Sequence, residues 1–152
     1  MSKVTPFLWF DDQAEAAANL YVSLVPNSRV TAVTPAGPGK VMTISFELDG
    51  VPFTALNGGP VYRHTEAFSI SVSCENQAEV DRYWDALIAD GGQPSRCGWL
   101  KDRFGLSWQI VPTALPRLLS DPDRGRAQRA MQAMLKMDKL DVAALEAAAD
   151  AA

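Results

Sequence analysis

Few side chains in this sequence are of a type that does chemistry, and the first to consider is an amide. Gln109 lies in Ser107-Trp108-Gln109-Ile110-Val111. In an extended segment Ser107, Gln109 and Val111 share one face and Trp108 and Ile110 the other, because strand side chains alternate. The amide therefore stands among bulky apolar neighbours. Two readings stay open: an amide bonded to nearby backbone, as buried polar groups usually are, or an amide in the wall of a ligand cavity. His64 is the only histidine. Its ordinary pKa near neutrality suits a general base or a ligand contact, and a surface-loop role is the other reading. Cys97 would be a nucleophile with a base beside it and a small buried residue without one. Cys74 and Cys97 lack the spacing of a zinc knuckle or a redox pair, which leaves two reduced thiols.

These residues need elements to position them. Asp102-Arg103-Phe104-Gly105 separates two short apolar runs and suits a tight turn, with Asp at its first position and Gly at its last. The stretch from residue 97 to 112 thus reads as a β-hairpin with Gln109 in its second arm. Upstream, residues 5–10 form an apolar, aromatic strand that Asp11-Asp12 stops, and Asp12 with Glu15 makes a capping-box pattern for a helix ending at Pro26. Residues 28–34 read as a strand, 35–39 as a mobile loop and 41–48 as a further strand. Asp49-Gly50 then turns the chain into residues 51–57, the strongest hairpin signal present.

After a linker over residues 61–66 the order of elements starts again. Residues 68–74 alternate apolar side chains with Ser69, Ser71 and Ser73, and Asn76-Gln77-Ala78-Glu79 repeats the capping pattern. Gln13-Ala14-Glu15 matches Gln77-Ala78-Glu79 at an offset of 64 residues. Two βαβββ modules follow, at about residues 4–60 and 66–112. The tail, 113–152, is helical: Ser120-Asp121-Pro122 starts one helix with a stripe of Ala127, Ala130, Met131, Met134 and Leu135, and Asp141 caps another. Such a stripe is core or dimer packing rather than a cofactor box.

The 152 residues suit a single domain, and 47% hydrophobic with 21% charged residues is ordinary globular composition. A formal net charge of -4 without a basic run argues against a nucleic-acid partner. No apolar stretch approaches the roughly 20 residues of a membrane span, and the opening residues lead into a strand rather than a signal peptide. The expected setting is cytoplasmic, with no membrane partner.

Three segments together resemble a known family: Thr5-Pro6-Phe7-Leu8-Trp9-Phe10-Asp11, Phe53-Thr54-Ala55-Leu56-Asn57-Gly58-Gly59-Pro60, and the hairpin from Cys97 to Gln109. They are similar to the PhnB-like branch of the vicinal oxygen chelate superfamily, which also holds the glyoxalases and bleomycin-resistance proteins. The likeness runs from Thr5 to about Leu145. It implies an α+β fold of two βαβββ modules whose curled mixed sheets form a cleft, with C-terminal helices added, and a homodimer. It places Thr5, Phe7, Trp9, Asn57, Ser69, Trp99 and Gln109 in that cleft, with His64 and Cys97 as further candidates, and sets Leu8 and Phe10 against the helix. The superfamily's metal enzymes hold a divalent ion with His, Glu or Gln from four strands. Those positions fall here on Thr5, near Asn57, on Ala67 or Ser69, and on Gln109. Neutral hydroxyls and amides lack the charge that grips a transition metal, so no metal site is expected and a divalent ion would be held weakly at most.

The resemblance implies small-molecule binding or a lyase or isomerase activity on an oxygenated or aromatic substrate. A second reading is non-catalytic sequestration of an antibiotic-like or aromatic ligand, which the missing metal ligands favour. A third is the demethylubiquinone methyltransferase for which many members are named. Against it, no Gly-rich strand-to-helix turn with a following acidic residue is present to hold an adenosyl cofactor.

Overall fold

The computed structural model describes residues 2–151 and divides into two compact units, 1–64 and 65–152. The first unit runs β1 (Phe7–Phe10), α1 (Ala14–Leu24), β2 (Arg29–Gly37), β3 (Lys40–Leu48) and β4 (Val51–Asn57). Its sheet order is β1-β4-β3-β2, with β1 parallel to β4 and the rest antiparallel. The second unit repeats this plan with β5 (Ser69–Cys74), α2 (Gln77–Ile88), β6 (Gln93–Pro94), β7 (Trp99–Lys101) and β8 (Ser107–Pro112), in the order β5-β8-β7-β6. Each unit thus contains a βαβββ module, and the repeat read from the sequence is a repeat of topology.

Alternation decides which face of each sheet is covered. In the first unit Leu8, Phe10, Ile44, Phe46, Leu48, Phe53 and Ala55 are buried on one face. Ala14, Ala17, Ala18 and Tyr21 of α1 are buried with them. The alanines let the helix lie close, and full burial of each large side chain contributes roughly 1.5–3 kcal/mol. The opposite face carries Phe7 and Trp9 beside Thr54 and Leu56. In the second unit Leu100, Trp108 and Ile110 are buried with Val80, Tyr83, Trp84 and Leu87 of α2. That leaves Ser69, Ser71, Trp99, Lys101, Ser107 and Gln109 on the other face, in register across three strands.

The turns follow their residues. Asp49 (φ 48°) and Gly50 (φ 80°) both adopt the left-handed conformation of a two-residue hairpin turn. Asn76 caps α2 through Glu79 N–H at 2.9 Å, and the Glu79 carboxylate accepts Glu75 N–H at 3.0 Å. The first module differs, because no side chain of its own caps α1 locally. Asn57, at the end of β4, reaches over and accepts Ala14 N–H at 2.8 Å. A residue distant in sequence has taken the place of the Asp12 and Glu15 box. The expected loop at 35–39 is also shorter, since β2 continues through Gly37 and only the tip around Pro38 and Gly39 turns. Backbone pairing with β3 outweighs the loop propensity of Pro35 there.

The tail forms α3 (Ala114–Leu119), α4 (Arg124–Met134) and α5 (Val142–Asp150). The first of these was not legible, as its Pro116 and short length hide the period. Asp123, not Ser120, caps α4, while Asp141 caps α5 through Ala144 N–H at 3.0 Å. Leu115, Leu118, Ala130, Leu140, Leu145 and Ala149 build a common core. The α4 stripe is split by it: Ala127 and Ala130 are buried while Met131 and Leu135 stay exposed.

Candidate functional site

The open face of the first sheet is aromatic. Phe7 is 60% exposed and Trp9 is half-buried. The Trp9 indole N–H donates to the Gly59 carbonyl at 2.9 Å, and its ring meets Tyr62 edge-on at 4.9 Å. Gly58 passes so close that a Cβ there would lie 2.3 Å from the indole. The Gly58-Gly59-Pro60 break is therefore a seat for Trp9. Gly58→Ala is expected to push the ring off that seat at a cost of about 1–3 kcal/mol, seen as a shift of one tryptophan indole resonance and a lower melting temperature.

Asn57 uses both ends of its amide within the fold, accepting from Ala14 and donating to the Val41 carbonyl at 2.9 Å. His64 is half-buried with its ring 5.0 Å from Phe10, the core-facing aromatic residue of β1. Thr5 is exposed just before β1. Its neighbour Pro6 extends the pairing by accepting Thr54 N–H at 3.0 Å.

In the second unit Gln109 stands opposite Trp99 on β7 and Ser71 on β5. Its Nε2 donates to Ser69 Oγ at 3.0 Å. Its carbonyl oxygen accepts nothing from the described residues, so the amide presents an acceptor on the open face. The hairpin that carries it is held by Asp102, only 3% exposed. One carboxylate oxygen accepts Phe104 N–H at 2.9 Å and Leu106 N–H at 3.0 Å, and the other accepts the Trp108 indole N–H at 2.9 Å. Asp102 thus opens the turn and ties it to the core residue next to Gln109. Sequence reasoning placed the Asp in the turn but not in this buried network, because the link to Trp108 is visible only once the hairpin closes.

Cys97 and Gly98 precede β7 with φ of 60° and 84°. Their N–H groups donate to the carbonyls of Met137 and Asp138, each at 2.8 Å. Cys97 is half-buried, and Cys74 is buried. Burial pushes the Cys74 thiol up to about 11, with the Glu79 carboxylate adding to the effect. Its thiolate is then roughly a hundredfold scarcer than that of an ordinary cysteine at neutral pH. Labelling with a disulfide reagent at pH 8 should leave Cys74 unmodified until the protein is unfolded, and rapid reaction of both thiols in the native state would contradict its placement.

A groove of about 250 Å³ lies beside β7, lined by Glu66, Gln93, Ser95, Trp99, Lys101 and Ser107 together with Pro94 and Leu100. None of Glu66, Gln93, Lys101 or Ser107 was singled out from sequence as a contact residue. Lys101 pairs with Glu66, and this holds the Glu66 carboxyl below the usual carboxylate range.

The donor chemistry does not fit a tightly held divalent ion. Thr5, Asn57, Ser69 and Gln109 are all neutral, and the Asn57 amide is already engaged at both ends. Among the described residues no group of three or more His, Cys, Asp or Glu is gathered to hold a metal. The strand-to-helix turns read Asp11-Asp12-Gln13 and Glu75-Asn76 and contain no glycine, so neither offers the Gly-rich turn against which an adenosyl cofactor would lie close to the backbone.

Two βαβββ modules, each with a four-stranded mixed sheet, give this α+β protein the glyoxalase, or vicinal oxygen chelate, fold. The family model described as 3-demethylubiquinone-9 3-methyltransferase matches residues 2–111. The chain belongs to this PhnB-like family. Among solved structures, the PhnB protein from Bacillus cereus is 32% identical, with a TM-score of 0.67 over 74% of this chain and 100% of that one. Protein PA1353 from Pseudomonas aeruginosa shares the fold at 21% identity and a TM-score of 0.61, over 74% and 98% of the two chains. The fosfomycin resistance protein FosX from Listeria monocytogenes, in complex with Mn(II) and sulfate, shares it at 16% identity and a TM-score of 0.52, over 77% and 94%. No curated protein matches. No helix among the described residues is long and apolar enough to cross a membrane.

Proposed function

We propose that this is a small-molecule binding protein of the glyoxalase superfamily, taking an oxygenated or aromatic ligand on the open face of the sheet around Gln109 and Trp99. The observation that carries the reading is the Gln109 amide, fixed by Ser69 yet offering its carbonyl beside an indole. An apolar wall with a few well-placed polar groups is what a small organic ligand requires. A lyase or isomerase step that needs a gripped metal is disfavoured by the neutral donor set, and methyl transfer by the glycine-free turns. Sequestration without turnover therefore leads, and metal-assisted chemistry of the kind suggested by the Mn(II) complex of FosX is the second reading.

The working assembly is a homodimer in the cytoplasm, supported by the exposed Met131 and Leu135 on α4 and by Phe7 on β1. Native mass spectrometry of the freshly purified protein, with metal analysis, tests these points together. A doubled mass and a retained organic molecule are expected, with each divalent metal well below one per chain. A monomer at tens of micromolar would remove the dimer, and one ion per chain surviving dialysis would reinstate the metal enzyme.

Gln109→Ala should cost less than about 1 kcal/mol in the empty protein, since water can replace a single half-buried amide contact, while weakening retention of the ligand. Gln109→Glu should strengthen divalent binding only slightly, because one charged ligand is too few. A loss of several kcal/mol for Gln109→Ala would make the amide structural and end the reading.

A further inference from the structure

The groove beside β7 contains an unexplained polar group. Ser107 is 1% exposed, and its hydroxyl is buried without a hydrogen-bond partner among the described residues. Desolvating a hydroxyl and leaving it unsatisfied is unfavourable, so such a group marks a place where a partner is missing. Register puts Lys101 directly across from Ser107 on the neighbouring strand, and both line the groove. The ammonium is the one cationic group of that lining. Its present partner is the carboxylate of Glu66, a side chain that is 67% exposed and sits in the segment before β5. Trp99 supplies an apolar wall next to the polar end, and Gln93 stands across from Lys101 on β6.

Resting on the small-molecule reading above, we propose that this groove selects ligands bearing a carboxylate, bound by Lys101 and Ser107 with the ligand's apolar body against Trp99. A monoanion suits a lining with a single cation, and a doubly charged phosphate would be left partly uncompensated. Glu66 already shows that a carboxylate is accepted at Lys101, and it acts as a placeholder that the ligand displaces. The exchange is one ion pair for another, and the incoming group adds the hydrogen bond that Ser107 lacks. The volume of about 250 Å³ lies just below the range of roughly 300–1,000 Å³ usual for drug-sized ligands. That fits a compact acid rather than an extended molecule.

The test compares benzoate with benzamide, which differs in having no charge, using proton–nitrogen NMR spectra of the full chain. Benzoate should shift the Trp99 indole and the Ser107 and Lys101 amides, and benzamide should bind at least about tenfold more weakly. Lys101→Met should abolish the preference, Ser107→Ala should weaken benzoate severalfold, and Glu66→Gln, which frees the ammonium, should tighten it. Equal shifts by benzoate and benzamide would overturn the carboxylate selectivity while leaving a small-molecule site at Trp99 standing. Shifts that ignore Lys101→Met would overturn the role of the lysine. If neither probe perturbs the groove, the inference falls, and the retained mass in the native spectrum decides the broader reading separately.

Discussion

Asp102→Ala is expected to destabilise the protein by about 3–5 kcal/mol. The carboxylate is buried and receives hydrogen bonds from Phe104 N–H, Leu106 N–H and the Trp108 indole. Alanine leaves those donors desolvated with nothing in place of the acceptor, and opens space beside a tryptophan with no exposed surface. Asp102→Asn is the sharper variant. Its shape is the same, but one end of the side chain becomes an N–H donor. With the oxygen kept on the turn, that N–H faces the Trp108 indole N–H, and with the oxygen on the indole it faces two backbone donors. Asparagine should therefore recover less than half of the loss. Urea unfolding followed by tryptophan fluorescence measures both. If Asp102→Asn is as stable as the parent, the carboxylate is not the centre of the turn.

The modules were legible because their signals are local. Asp49-Gly50, the Asn76 and Glu79 cap, the Asp141 cap and the alternation through β8 each act over a few residues, where backbone propensity and side-chain period decide the outcome. What escaped was long-range. Asn57 reads as a polar residue at a strand end, and only closure of β4 against β1 brings it to the start of α1. Gly58 reads as part of a breaker until the indole of Trp9 is seen against it. The groove beside β7 escaped for the same reason, since Glu66 and Gln93 join Lys101 and Ser107 only in the folded sheet. Cys97 drew attention as a thiol, whereas its notable property is a left-handed backbone that side-chain chemistry does not announce.

That backbone depends on the tail, which lies beyond the family match at Val111. Met137 and Asp138 accept the N–H groups of Cys97 and Gly98, and Gly98 in turn accepts Ile110 N–H at 2.8 Å. Gln77 ties α2 to the same segment, donating to Leu140 O at 3.0 Å and accepting Val142 N–H at 2.8 Å. Leu140 is fully buried at the centre of this junction. Leu140→Ala should cost about 2–5 kcal/mol as an isolated core truncation. Gly98→Ala should cost a comparable amount, because φ is +84° and an added Cβ would stand 2.9 Å from both the Ile110 carbonyl and the Leu140 side chain. The two are in contact, so their effects should not add. In the Leu140→Ala background one of the two collisions at residue 98 is gone, and Gly98→Ala should cost at least about 1 kcal/mol less there than in the parent. The remainder, from the backbone carbonyl and the left-handed φ, should persist. Chemical denaturation of the four proteins closes the cycle. Strict additivity would mean that the Leu140 side chain does not press on this turn.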